Sequence, residues 1–588
     1  MHFLLIQTIC LQLIIFILPF VTIAGLTEHD QAMMTQKTII SYFYHWEKTT
    51  PDATYLRQPF GDKWEESTWA EVGKTARQLA AGLHSLGLPG GAHIGIVSKN
   101  CREWIIADLA IMMGGFVSAP FYPTLRSDQI RQVLELGDVQ ALFVGKLENW
   151  DDMQHGIPEE MPLISFPHYE GNSRVDRGEQ WHDFINRFEP IQGEPQPEPD
   201  SLWTIIFTSG TTGTPKGVML TYRKVEELLQ EDRQHKLLNI QPGNNYLFSY
   251  LPLNHIAERA LTEVLSITYN AQVSFVENMD TFARNLQSVQ PTLFFAVPRI
   301  WTKFQLGVLE RMPQHRLSLL LRIPLLSAFV KSKIRRGLGL NRARILITAA
   351  APMPNSLKAW YARLGIHIQE IYGSTETCGG FVMTRAGEQT IGTVGRAFPG
   401  AEMKIDPANG EILARGPWFM DGYYKNPEKT AEAFSDGWYR MGDSGTISAD
   451  GYLHLTGRVS EIFKTAKGKF VVPAPIEWEF AANSDIEQIC VTGLGLPQPI
   501  ALVALSELGR AKAPSAIEYS LRESLIAVNQ KLANYEKIAT LIITRELWSV
   551  ENGLLTPTLK VKRNELDSRY GASFEHWAAV PEPVVWED

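Results

Sequence analysis

Four cysteines in 588 residues (Cys10, Cys101, Cys378 and Cys490) stand far apart, and no two form a Cys-x-x-Cys pair. That scarcity excludes a disulfide framework and a cysteine-based zinc site, and it suits a reducing compartment. No Asn-x-Ser/Thr sequon, tandem repeat or low-complexity tract occurs. Charge is nearly balanced, with 55 Lys and Arg against 64 Asp and Glu for a net −9, spread without long runs of one sign. Nucleic acid is therefore not an expected partner. One region has no charge at all. Residues 1–27, "MHFLLIQTICLQLIIFILPFVTIAGLT", contain no Asp, Glu, Lys or Arg. Such a run is long enough to span a bilayer. It lacks the basic n-region of a signal peptide and the flanking cations that orient an anchor, and Glu28 and Asp30 follow it. Three alternatives stay open: an anchor, a cleaved signal, or an extension upstream of a start at Met33 or Met34. The expected location is cytoplasmic, with association at the membrane surface, or anchoring by this segment, left open.

A chain of 588 residues and 66.1 kDa is too long for one core, so at least two domains are expected, one of them large. Residues 66–90, "ESTWAEVGKTARQLAAGLHSLGLPGG", carry apolar positions at helical spacing and end in a Gly/Pro stop. "HIGIVS", "REWIIADLAIMMGG" and "FVSAPFY" then read as strand, helix and strand. That alternation predicts an α/β domain with largely parallel strands. The pattern returns in "LQSVQPTLFFAVPRIW" and "ARILITAAAPMP". After Gly457 the elements shorten ("ICVTGLG", "ALVALS", "ATLIITRE"), which predicts a small α+β domain. The expected division is an apolar segment over residues 1–33, a large domain over 34–457 and a small one over 458–588.

The most informative stretch is "TIIFTSGTTGTPKGVML", residues 204–220. A β-branched apolar strand runs into a Gly/Thr/Ser-rich loop. Glycines let backbone N–H groups wrap an anion, hydroxyls add donors, and Lys216 adds charge. It is not a Walker A loop. Counting from Gly210, Pro215 falls where the second glycine belongs, and Gly217 falls where Ser or Thr should follow the lysine.

This stretch resembles the signature of the adenylate-forming superfamily, which includes acyl-CoA synthetases, firefly luciferase and peptide-synthetase adenylation domains. The resemblance extends from about Thr38 to Tyr570, with later motifs in the family's order. It implies a large N-terminal domain of stacked mixed sheets and helices and a small, mobile C-terminal domain. It also implies ATP, Mg²⁺ and CoA as ligands. On this basis Thr208, Ser209, Gly210, Thr211, Thr212, Gly213 and Lys216 would cradle the phosphates. "LPLNHIAER" places His255 beside the acyl site, although a core or capping histidine is the plainer alternative. "ITAAAPMP" matches a turn beside adenine, with Ala349 and Ala350 where glycines are usual. In "IYGSTET", Tyr372 and Gly373 would cover adenine, Thr375 would bond the α-phosphate, and Glu376, with Thr208, would face Mg²⁺. Asp443 in "YRMGDSG" would take the ribose hydroxyls.

"HLTGRVSEIFKTAKGKF" aligns Arg458 with the hinge of the family, with Ser460 where Asp or Lys usually acts as pivot. Glu461 and Lys464 fit the pattern, but Ala466-Lys467-Gly468 departs from the usual Gly-Gly-Glu. "NGLLTPTLKVKRNEL" puts Lys560 on the family's catalytic lysine, with Lys562 as the near miss. The resemblance is greatest to long-chain fatty acyl-CoA synthetases. It implies activation of a long-chain fatty acid through acyl-adenylate, then transfer to CoA or to a carrier-protein phosphopantetheine. Lys216, His255, Glu376 and Lys560 would carry the chemistry. The rival from another class is a non-catalytic nucleotide- or lipid-binding relative. Loss of Lys216, Glu376, Asp443 or Lys560 would favour it, and all four are present.

Overall fold

A computed structural model describes residues 37–209, 215–388, 391–549, 552–556 and 560–587. The segment over residues 1–33 and the loop residues Gly210, Thr211, Thr212 and Gly213 lie outside the described residues.

The first predicted helix is Trp69–Ser85. Thr68 caps it by accepting the N–H of Glu71, whose carboxylate accepts the Thr68 N–H in return. That reciprocal pair satisfies two of the donors a helix start leaves open. The predicted strand–helix–strand follows as His93–Val97, Arg102–Met113 and Val117–Phe121. The two strands pair in parallel, and both are buried throughout, as strands covered on both faces must be. They sit in an eight-stranded mixed sheet. Its order is Gly422–Tyr423, Pro215–Thr221, Leu202–Ser209, Val117–Phe121, His93–Val97, Val139–Val144, Leu163–Ser165 and Glu179–Gln180.

A second sheet has the order Leu293–Phe295, Ile345–Thr348, Gln369–Tyr372, Val382–Met383 and Arg396–Ala397. A four-stranded sheet is built on Thr54–Phe60, and another sheet carries Trp438–Ile447 and Leu453–Arg458. One large core runs through these sheets from Ile39 to Leu453. Apolar clusters from Phe463 to Val584 form separately, around the mixed sheet Ile486–Thr492, Ile500–Leu505, Leu541–Ile543 and Val584–Trp586. The architecture is thus α/β, with several mixed sheets in the larger part and a smaller α+β part after it.

A fully buried polar cluster ties the first sheet to the helical stretch over residues 256–269. Arg259 donates to Asp108 at 2.6 Å, to Glu263 at 2.9 Å and to the Thr204 hydroxyl at 2.6 Å, and its guanidinium lies 4.0 Å from the Trp203 ring centroid. Removing one member would strand a buried charge, a loss of about 3–5 kcal/mol. The same cluster holds the strand that carries Thr208 against the helix that starts at His255.

Among the described residues, no helix is long and apolar enough to cross a membrane.

Candidate active site

The Gly/Thr-rich motif turns a hairpin. Leu202–Ser209 and Pro215–Thr221 are antiparallel, with Thr208 opposite Lys216 and Ser209 opposite Pro215. No helix follows the loop directly, so no helix dipole aids anion binding there. The Thr208 hydroxyl donates to the Lys216 carbonyl at 3.4 Å. The Lys216 ammonium lies 5.1 Å from the ring centroid of Tyr423. Tyr423 sits on the neighbouring strand, opposite Val218. Its hydroxyl donates to Glu376 Oε1 at 2.9 Å. Lys216 and Glu376, far apart in sequence, therefore meet through one tyrosine that sequence reasoning missed. Tyr439, a further hydrogen-bond partner of Tyr423, was missed as well. No local pattern marks either residue, because Tyr423 reaches the hairpin only through long-range strand pairing and Tyr439 comes from a different sheet.

Glu376 stands in a one-turn helix, Thr375–Thr377, directly after the strand Gln369–Tyr372. Gly373 makes that sharp exit possible, since a Cβ there would sit 2.5 Å from the Gly380 Cα. Thr375 is buried under the turn. Glu376 Oε2 takes no part in the Tyr423 bond. Among the described residues no cluster of three or more His, Cys, Asp or Glu could hold a metal. One hard carboxylate oxygen beside a phosphate loop fits Mg²⁺, which takes few protein ligands and completes its shell with phosphate and water.

Tyr372 is buried, and its hydroxyl donates to Asp443 Oδ2 at 2.8 Å. Burial and the Asp443 charge hold that phenol well above its usual range. Asp443 Oδ1 pairs with Arg458 Nε at 3.0 Å. Ala350, in the turn after Ile345–Thr348, has φ 69, the left-handed region that favours glycine. The backbone thus keeps the shape of a glycine turn although alanine occupies it.

Lys560 enters the same cleft from the smaller part. It is close enough to Arg458, Asp443, Glu461 and His255 for their charges to act on one another. Its side chain is exposed to solvent. Removal from bulk water, then repulsion by Arg458, holds the ammonium below the usual lysine range against the pull of Asp443 and Glu461. Lys562 instead occupies the N-cap of the helix Arg563–Tyr570. Lys464 stands on the ribbon Phe463–Lys464/Phe470–Val471, its ammonium 5.5 Å from the Phe470 ring centroid. An Arg299–Glu487 ion pair also joins the two parts.

His255 does what its plainer alternative describes: Nδ1 accepts the Ala257 N–H at 3.2 Å and caps a short helix. It also faces the cleft. Burial, then the Lys560 charge, push its pKa down to about 4, so the ring is neutral at pH 7.

Next to His255 opens an apolar cavity of about 90 Å³. Its walls include Ile256, Ala260, Leu261, Val264, Leu229 and Leu238. Ala349, Ile371 and Gly379 line the end toward Ala350 and Tyr372. A single carboxylate, Asp232, interrupts the apolar wall, and it is bonded to the Tyr269 hydroxyl at 2.5 Å.

Fold and site together describe an adenylate-forming ligase. A family model for AMP-binding enzymes matches residues 43–424, and the chain belongs to that family. A long-chain-fatty-acid–CoA ligase of Mycobacterium bovis is 28% identical, with 93% of this chain and 97% of that protein aligned. Long-chain-fatty-acid–CoA ligase 6 of Rattus norvegicus is also 28% identical, over 87% of this chain and 82% of the relative. Among solved structures, the adenylation domain of a carboxylate reductase from Mycobacterium chelonae has a TM-score of 0.78 at 22% identity, covering 93% of each chain. The anthranilate CoA ligase AuaEII, in complex with anthranoyl-AMP, has a TM-score of 0.73 at 20% identity, covering 91% of this chain and 97% of that one.

Proposed function

We propose that the protein activates a long-chain fatty acid with ATP and transfers the acyl group to CoA. One observation carries this: the cavity that opens beside His255 is walled almost wholly by apolar side chains, and its lining includes Ala349 and Ile371, the chain neighbours of Ala350 and Tyr372. A chain buried there would leave its carboxylate at the cleft that Lys560 enters. The long-chain ligases among its relatives support the same substrate class.

In this mechanism Lys216 and the Gly/Thr loop hold the β- and γ-phosphates, Tyr372 covers the base, and Asp443 takes the ribose. Ser209, Gly210, Thr211, Thr212, Gly213, Gly373, Thr375 and Ala350 complete that nucleotide site. Mg²⁺, held by Glu376 with the Thr208 hydroxyl nearby, would neutralise phosphate charge. The acid's carboxylate oxygen attacks the α-phosphorus and pyrophosphate leaves. Lys560 stabilises charge gathering between carboxylate and α-phosphate, where a preorganised cation has most effect. Neutral His255 borders the acyl carbon without adding a charge that would repel Lys560.

We place the boundary between the domains at Gly457–Arg458. Gly457 has φ 146, and a Cβ there would lie 2.5 Å from Val472 Cγ1, so the Val472 side chain packs directly on the Gly457 backbone. Rotation at Arg458–Glu461 would withdraw Lys560 and admit the thiol. Lys464, already on the mobile side, would follow this rotation. A thiol then attacks the acyl carbon and AMP leaves.

The test is an ATP-dependent screen of carboxylic acids with and without CoA, read by pyrophosphate release and product mass. Long-chain acyl-CoA is the expected product. Preference for acetate or aromatic acids would overturn the substrate assignment. Pyrophosphate release without a soluble thioester would point to a carrier-protein phosphopantetheine as acceptor.

A further inference from the structure

The chain has a net charge of −9, yet residues 311–344 contain nine Lys or Arg and no Asp or Glu. The cations are interspersed with apolar residues in "RMPQHRLSLLLRIPLLSAFVKSKIRRGLGLNRAR", so no run of one sign announces them. The structure folds this stretch into two helices, Gln314–Leu320 and Pro324–Gly337. Their buried face packs on the second core through Leu317, Val330 and Ile334. Trp360 Nε1 donates to Gln314 at 2.9 Å, and Arg363 to Ser318 at 3.0 Å, which fix the first helix in place.

The outer face runs against the usual expectation. Leu319 is 61% exposed, Ile323 50%, Leu325 89% and Phe329 64%, all within eleven residues. Isolated exposed apolar side chains are ordinary, but a contiguous set at the turn between two anchored helices marks a contact surface. Leu325, Phe329, Lys333 and Arg336 follow at intervals of four, four and three, so they share one helix face. The apolar residues occupy its beginning and the cations its end. Lys333 stands about 12 Å along the axis from Leu325, at 1.5 Å per residue. Among the described residues, Arg316, Arg322, Lys333 and Arg336 have no carboxylate within ion-pair distance.

We propose that this helical corner is a docking surface for an anionic lipid bilayer. The Leu319–Phe329 tip would insert by about 5–10 Å, the depth typical of interfacial elements, and leave Lys333 and Arg336 level with the headgroups. A chain with net charge −9 is repelled by an anionic surface. Approach therefore needs a local reversal of sign, and each cation near such a surface contributes roughly 1 kcal/mol. A second copy fits the face poorly, because two-fold pairing would bring the same cations together. The proposal does not depend on the acid the enzyme activates.

The experiment uses the full chain with vesicles of phosphatidylcholine, with and without phosphatidylglycerol, read by co-sedimentation and by hydrogen–deuterium exchange. Binding to the phosphatidylglycerol vesicles, with protection over residues 316–336, is the expected result. The Leu325→Glu, Phe329→Glu double variant should lose at least about tenfold in vesicle-bound fraction, together with that protection. Its melting temperature should be unchanged, since both side chains face solvent. Lys333→Glu with Arg336→Glu should abolish the preference for phosphatidylglycerol, and added salt should mimic it. Three results would overturn the proposal: no binding, binding with unchanged exchange over 316–336, or protection of that segment by raised protein concentration without lipid. The second would assign attachment to another part of the chain, and the third to a second copy.

Discussion

Asp443 and Arg458 face each other across two antiparallel strands, 3.0 Å apart, while the other Asp443 oxygen accepts the Tyr372 hydroxyl at 2.8 Å. One carboxylate thus links Tyr372, proposed to cover the base, to Arg458, the first residue of the proposed hinge. Asp443→Asn keeps the shape but removes the charge from those bonds. Hydrogen bonds to charged groups are worth about 1.5–3 kcal/mol, so the KM for ATP should rise roughly tenfold or more. Steady-state kinetics with varied ATP measure it, and an unchanged KM would remove Asp443 from the nucleotide site.

Lys560→Ala should separate the half-reactions. Lys560 shares the cleft with Arg458 and His255, whereas Lys562 begins a helix. Acyl-adenylate formation should slow by about a hundredfold or more, the scale of losing one preorganised charge contact. Thioester formation from supplied acyl-AMP should stay near normal, and Lys562→Ala should do far less. Equal loss in both half-reactions would argue against domain alternation.

Ala350→Gly should stabilise the protein. Alanine at φ 69 carries steric strain of about 1–3 kcal/mol, and glycine removes it at some cost in chain entropy. The expected net gain is about 1 kcal/mol, seen as a raised melting temperature. A fall would mean that the alanine methyl has packing value that outweighs its strain.

Glu258 is buried beside the site, accepting from the Ser249 hydroxyl at 2.9 Å and the Tyr250 N–H at 3.3 Å. Burial pushes its pKa up to about 8. The folded state therefore keeps a proton that the unfolded chain releases near pH 4.5. Stability from this group is fully present below pH 4.5 and is lost as pH rises toward and through 8. Glu258→Gln mimics the protonated acid. Its unfolding free energy relative to the parent should climb between pH 5 and 8 and level off above, by an amount on the order of a few kcal/mol, and its melting temperature should follow. A flat difference curve would mean that Glu258 is ionised in the fold.

Ala260→Trp should shorten the acyl cavity, since Ala260 lines it one turn from Ile256. The ratio of kcat/KM for palmitate over octanoate should fall by at least about tenfold, as an overfilled pocket rejects the longer chain. Equal loss for both acids would indicate damage to the helix rather than a shortened site.

Much of this was legible in the chain because its signals are local. The helix Trp69–Ser85 and the buried strands His93–Val97 and Val117–Phe121 depend on neighbours in sequence. Glu376, Asp443 and Lys560 were singled out by the resemblance of their local motifs to the adenylate-forming family. What lay beyond reach depends on surfaces that meet across hundreds of residues. Tyr423 bridges Lys216 and Glu376 only because its strand adds to the edge of the hairpin. The cavity is made of residues from 203 to 398, each unremarkable alone. The basic corner of residues 311–344 is apolar and cationic by composition, but which of its side chains turn outward is settled by the core it packs against. Short-range hydrogen bonding and periodicity determine elements and motifs. The sheet order, the depth of the cleft and the meeting of Lys560 with Asp443 follow from burying one large core and a smaller one side by side, and only the tertiary structure decides them.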